Sequence, residues 1–188
     1  MLGAAFDAVL GAAVAGAPWA WERLYASLSP SLLGYLRARG TPEPEDVLGE
    51  VWVNIARQLE RFEGDEAGLR SWAFSIAHRR SVDAVRYWAR RPVRTEADPV
   101  VAASTADEPE VQVVASAAVR DAVELLGVLT EEQREVVLLR TFGDLSIKEV
   151  ASITGRPEGA VKSLQHRALA ALRRHLEASP YPEPAERR

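Results

Sequence analysis

Between Thr130 and Leu176 the chain carries two helix-starting signals, two glycine stops and a long two-faced basic run. That combination leaves little choice of local fold. Thr130-Glu-Glu-Gln133 and Ser146-Ile-Lys-Glu149 are capping boxes: a hydroxyl and, three residues on, an amide or carboxylate each satisfy a backbone amide that the first turn of a helix leaves free. The first box opens a helix carrying Val136, Val137, Leu138 and Leu139, broken at Gly143. The second opens a shorter helix with Ile147, Val150 and Ala151 that stops at Gly155. Arg156-Pro157 then turns the chain into a last helix from about Glu158 to Leu176. A short helix, a glycine-containing turn and a longer basic helix form a helix-turn-helix. In the last helix Val161, Leu164, Ala168, Leu172 and Leu176 fall on one stripe that must face a core. Lys162, Ser163, His166, Arg167, Arg173 and Arg174 fall opposite. Arg and Lys reach guanine edges and phosphates, and Ser contacts either, so this face suits the major groove of DNA.

The remaining pattern is also helical, and no segment alternates with a period of two. Residues 1–18 are rich in Ala, Gly and Val, with Asp7 inside the apolar stretch and no basic residue before Arg23. They lack the basic lead of a signal peptide and the length of a membrane span, so a short helix packing on the next part of the chain is expected. A second helix carries Trp21, Leu24, Leu28, Leu32 and Leu36 and ends at Gly40. Pro42 and Pro44 suit the start of a third, with Val47, Leu48, Val51, Trp52, Ile55 and Leu59. A fourth runs from about Leu69 to Arg90, before Pro92. Residues 92–112 are rich in Pro, Ala, Ser, Thr and acids, and after Arg94 hold no base or aromatic. Such a stretch cannot bury enough surface to fold alone. The expected fold class is therefore all-α: a helical domain over 1–91, a flexible acidic linker over 92–112, a helix-turn-helix domain over 113–178 that begins with a helix from Ala115 to Leu126, and a frayed tail over 179–188. A joint of this kind lets the two domains move relative to one another.

The net charge of −4 argues against a nucleic-acid binder until its distribution is considered. Six arginines against one Asp lie between His78 and Arg94, and five bases against one Glu between Thr154 and Arg174. Between Thr41 and Glu66 there are instead eight acids against two arginines. Two basic segments suit phosphates and one acidic segment suits a protein partner. On the fourth helix Trp72, Arg79, Asp83, Arg86 and Arg90 share one side, and an aromatic ring beside arginines suits single-stranded or melted DNA. Asp46 and Glu50 stand four apart on one face of the third helix.

Catalysis is not expected. The three histidines, His78, His166 and His175, lie in no metalloprotease motif, and there is no Gly-rich phosphate loop and no nucleophile elbow. The chain has no cysteine, and neither a metal nor another cofactor is expected.

Two separate stretches resemble the extracytoplasmic-function (ECF) sigma factors of bacterial RNA polymerase. Leu24-Tyr25, Leu32-Leu33-Gly-Tyr-Leu36, Asp46-Val-Leu-Gly-Glu50, Arg61-Phe-Glu-Gly64 and Leu69-Arg-Ser-Trp72 are similar, in order and spacing, to region 2 of that family. Leu129 to Arg140, Gly143 to Ala151, Gly159-Ala-Val-Lys-Ser163 and His166-Arg-Ala168 resemble region 4. The resemblance implies an alternative sigma factor that binds core RNA polymerase and directs initiation at promoters with particular −35 and −10 elements. It implies −35 contacts by Arg156, Lys162, Ser163, His166, Arg167 and Arg173. It implies −10 recognition and melting by Phe62, Gly64, Asp65, Trp72, Arg79, Arg86 and Arg90. Asp46, Glu50 and Asn54 are implied to dock on the β′ clamp helices, with the β flap as a further polymerase contact. An anti-sigma factor that holds the protein inactive until a signal, a cytoplasmic location and no membrane insertion complete the expectation. The competing reading is a stand-alone helix-turn-helix regulator that acts without core polymerase.

Overall fold

The computed structural model describes residues 2–90 and 125–178. The expected linker, the expected tail and all but the last turn of the helix expected from Ala115 to Leu126 lie outside the described residues. Among the described residues the regular structure is entirely helical, as the all-α reading requires. The N-terminal unit holds α1 (Phe6–Val14), α2 (Pro18–Ala38), α3 (Pro44–Gln58) and α4 (Glu66–Ala89). The C-terminal unit holds α5 (Glu131–Gly143), α6 (Ile147–Thr154) and α7 (Glu158–Ala178).

Local chemistry sets most of these boundaries. Prolines occupy the first turns of α2 and α3, where the missing N–H costs nothing. Asp65 caps α4, accepting a hydrogen bond from the Gly68 amide at 2.8 Å. Both capping boxes form: Thr130 and Gln133 close on each other at the start of α5, and Ser146 and Glu149 do so at the start of α6. Gly155 ends α6 in left-handed backbone at φ 68°. The small-residue helix α1 packs on α2, burying Phe6, Val9 and Ala13. Its lead-in is tied to α4, because the amides of Leu2 and Gly3 both donate to the Glu66 carboxylate, at 2.5 and 2.9 Å.

The core of the N-terminal unit is built from Leu24, Leu28, Leu32, Tyr35 and Leu36 of α2, Val51 and Ile55 of α3, and Leu69, Ala73, Phe74 and Ala77 of α4. In the C-terminal unit Val136 and Leu139 of α5 meet Val150 of α6 and Val161, Leu164 and Ala168 of α7. The apolar stripe of α7 is shorter than its periodicity suggests: Leu172 is half-buried and Leu176 is 47% exposed, because the helix continues past the elements it packs on.

The two units are not separate in this arrangement. A single buried cluster runs from α1 to α7, with α2 and α4 packed on α5 and α6. Gly34 of α2 lies so close to Phe142 of α5 that a Cβ there would come within 2.6 Å of the ring. Phe74 of α4 reaches Gly143 at the end of α5. Small residues at Gly34 and Gly143 let the two units approach closely in this arrangement.

Candidate nucleic-acid interface

Helix α7 presents the face that the sequence suggested. Lys162, Ser163, His166, Arg167 and Arg173 are all exposed, while Val161, Leu164 and Ala168 between them are buried. Each side chain therefore projects away from the core on a helix held by both α5 and α6. Arg167 curls back to the Ser163 carbonyl at 3.3 Å, a weak local contact that costs little to give up. Arg156 stands apart from this set. Its guanidinium, in the turn between α6 and α7, donates to Glu135 at 2.5 Å and to Glu132 at 3.3 Å.

The residues of the first unit divide differently. Phe62 and Trp72 stack on one another, ring centroids 5.5 Å apart and tilted by 26°, and both are half-buried. Gly64, at φ 150°, lays its bare Cα against the Phe62 ring. The loop before α4 thus ends in an aromatic step with one open side. Asp65 is engaged as the cap of α4. Arg79, Arg86 and Arg90 are exposed. At about 100° per residue, Trp72, Arg79, Arg86 and Arg90 fall within one narrow stripe of α4. Arg70, Phe74, His78 and Ser81 lie about half a turn away, on the side that meets the second unit or the core.

On α3, Asp46 and Glu50 are exposed and share a face. Glu50 is approached by Arg80 at 3.7 Å, and Arg80 also donates to Asn54 at 3.2 Å. The structure brings Glu50, Asn54 and Arg80 together; Arg80 was not among the residues singled out on this face. Beside them Tyr25 and Trp52 form a ring pair 5.1 Å apart, and the Trp52 N–H donates to the Ser29 hydroxyl at 2.9 Å.

The most heavily charged site in the interior lies between the units, where sequence reasoning placed none. Glu135 is almost fully buried. Arg39, the residue that caps the end of α2, donates to its Oε1 at 3.0 Å and Arg156 to its Oε2 at 2.5 Å, with His78 Nδ1 of α4 at 3.7 Å. Tyr35 is fully buried with its hydroxyl 3.0 Å from His78 Nδ1. Burial pushes the Tyr35 hydroxyl well above its ordinary range, with Arg39 acting against that rise. Burial lowers His78 below its ordinary value; Glu135 partly opposes this, while Arg39, Arg156 and Arg79 reinforce it. The lowered pKa favours the uncharged imidazole, which shares a hydrogen bond with the Tyr35 hydroxyl through Nδ1. A glutamate one position before Val136 in an amphipathic helix was the only signal of this site, and it is indistinguishable in sequence from a solvated charge.

Comparison with known proteins agrees with this two-unit reading. Residues 24–91 match the family described as Sigma-70 region 2, and residues 120–172 that described as Sigma-70, region 4. The chain is 33% identical over 186 residues to the ECF RNA polymerase sigma factor SigD of Mycobacterium tuberculosis, spanning 95% of this chain and 87% of SigD. It is 31% identical over 176 residues to the ECF RNA polymerase sigma factor ShbA of Streptomyces griseus, spanning 88% of this chain and 92% of ShbA. Two solved structures share the fold. CnrH, in complex with the cytosolic domain of CnrY, aligns with a TM-score of 0.66 at 24% identity over 93% of this chain and 99% of CnrH. The sigma factor RpoE in complex with the anti-sigma factor NepR, from Bartonella quintana, aligns at 0.60 and 19% identity over 85% of this chain and 98% of RpoE. This chain belongs to the ECF sigma factors of the sigma-70 family. It is an alternative sigma factor, and sigma factors are transcription initiation factors and not enzymes. The match covers both units, which a stand-alone regulator carrying only a helix-turn-helix does not require.

Proposed function

We propose that the labour of promoter recognition is divided among the three surfaces described above. Lys162, Ser163, His166, Arg167 and Arg173 of α7 read the −35 element, joined by Arg156 once its guanidinium is released from Glu132 and Glu135. Phe62, Gly64 and Trp72, with Arg79, Arg86 and Arg90 along α4, bind and open the −10 element, and Asp65 holds the loop by capping α4. Asp46, Glu50 and Asn54 dock on the β′ clamp helices of core polymerase, and the C-terminal unit contacts the β flap. The domains follow the division 1–91, 92–112 and 113–178. The observation that carries this reading is the opposition of faces on α7, with buried Val161, Leu164 and Ala168 backing an exposed row of donors. An anti-sigma factor holds the protein inactive until a signal arrives; the complex of RpoE with NepR, similar in fold, supports a partner of that kind. The site of action is the cytoplasm, in keeping with the absence, among the described residues, of a helix long and apolar enough to cross a membrane.

The test separates the surfaces. Arg167→Ala is expected to weaken binding to a −35 duplex by about 1–3 kcal/mol, a factor of roughly 5 to 150, with core polymerase affinity unchanged. Asp46→Ala with Glu50→Ala is expected to do the reverse. Unchanged duplex affinity removes Arg167 from the site, and joint loss of both activities in either variant points to misfolding.

A further inference from the structure

We infer that Glu66 is a positioning residue for −10 opening. Two backbone amides of the N-terminal segment grip its carboxylate, and that grip holds the first turn of α4, with the aromatic step built on it, in place. This inference rests on the reading of Phe62, Gly64 and Trp72 as the −10 surface.

The grip is made by consecutive amides 64 and 63 positions away in sequence. The Leu2 N–H donates to Glu66 Oε1 at 2.5 Å and the Gly3 N–H to Oε2 at 2.9 Å. Leu2 has right-handed backbone, at φ −85° and ψ −24°, and Gly3 follows with φ 55°. A right-handed residue followed by a left-handed one turns successive N–H groups toward one point and forms a concave anion site. Here the anion belongs to the same chain. Glycine suits the second position because an L side chain is strained at that φ. Burial alone would raise the pKa of the Glu66 carboxyl, yet the hydrogen bonds from Leu2 and Gly3 bring it below its ordinary range. An acid in a first turn ordinarily serves by facing the positive end of its own helix, and that role needs no distant partner.

Both ends of the grip are anchored. Leu2 and Ala5 pack on the core, and α1 behind them buries Phe6, Val9 and Ala13. On the other side Glu66 is the first residue of α4, directly after its cap Asp65. The Phe62 ring lies over this same turn. It is 3.1 Å from where a Cβ on Gly64 would stand and 3.7 Å from one on Gly68. The same ring stacks on Trp72. A path of direct contacts therefore runs from the N-terminal amides through Glu66 and the first turn of α4 to the ring pair. Glu66 spends its carboxylate on the N-terminal segment, so its effect on DNA is exerted through Phe62 and Trp72.

Two variants act on opposite ends of the contact. Glu66→Asp keeps a negative charge in the first turn but is one methylene too short to meet both amides. Gly3→Val introduces no collision, since nothing lies within 4 Å of a Cβ there, and strains only the backbone that aims the amides. The measurement is promoter opening by the full chain with core polymerase, followed by a fluorescent base analogue in the −10 element over a range of promoter concentrations. Each variant is expected to slow opening at saturating promoter by about fivefold. The half-saturating promoter concentration, the −35 duplex affinity and the helix content should stay at wild-type values. The double variant should be no slower than either single one, because both remove the same interaction. Wild-type opening rates in both variants, while Trp72→Ala is slow, overturn the inference and leave the −10 reading standing. A wild-type rate in Trp72→Ala removes that reading and the inference with it. Additive losses, or losses shared by −35 binding and helix content, also overturn it, since they mark separate effects or general damage to the fold.

Discussion

Phe74→Ala is expected to lower the free energy of unfolding by about 3–5 kcal/mol, a large share of what a domain of this size possesses. Phe74 is fully buried in α4 and sits edge-on to Tyr35, ring centroids 5.6 Å apart at 65°. Its truncation removes that aromatic contact and leaves a cavity. The void opens beside Gly143, with Leu145 as the neighbouring side chain of the second unit. Urea unfolding followed by circular dichroism measures the loss. A change below about 1 kcal/mol would mean that Tyr35 and Leu145 collapse into the space, and that the shared core is softer than the structure implies.

The second large effect is on melting. Trp72→Ala is expected to reduce the affinity for single-stranded −10 DNA, and with it the rate of promoter opening, by a factor of about 5 to 150, the equivalent of roughly 1–3 kcal/mol per lost stacked base. Trp72 is half-buried against Phe62, so its removal also frees the ring that caps the loop. Binding to duplex −35 DNA serves as the internal control, because α7 lies in the other unit. Trp72→Phe should retain most of the activity. If the alanine variant opens promoters as fast as wild type, the Phe62–Trp72 step is a piece of core and not a platform for bases.

What was legible in the sequence was what depends on neighbours along the chain. Both capping boxes, the glycine stop at 155 and the proline opening α3 are local devices, and all of them appear. The donor row on α7 was legible because a single buried stripe fixes every other position on that helix. Asp65 shows the limit: the resemblance places it at the −10 element, but only the folded chain shows that its side chain caps α4. Pro30 shows another, since α2 runs straight through it, held on both sides by buried Leu28 and Leu32. The contact between the units was not legible at all. Glu135, His78 and Arg39 are far apart in sequence and each resembles surface charge; only the packing of α2 and α4 on α5 gives them a common site. Gly34 likewise reads as a weak point in a helix, whereas in space it is the gap that Phe142 fills.

As an alternative sigma factor, this chain converts core RNA polymerase into a promoter-specific enzyme. Run-off transcription with purified bacterial core polymerase on a fragmented library of its source genome, with and without the protein, tests it most directly. Discrete start sites that appear only with the protein, sharing one −35 and one −10 sequence, are the predicted result. The same start sites without the protein, or none with it together with no stable complex on gel filtration, would contradict the account.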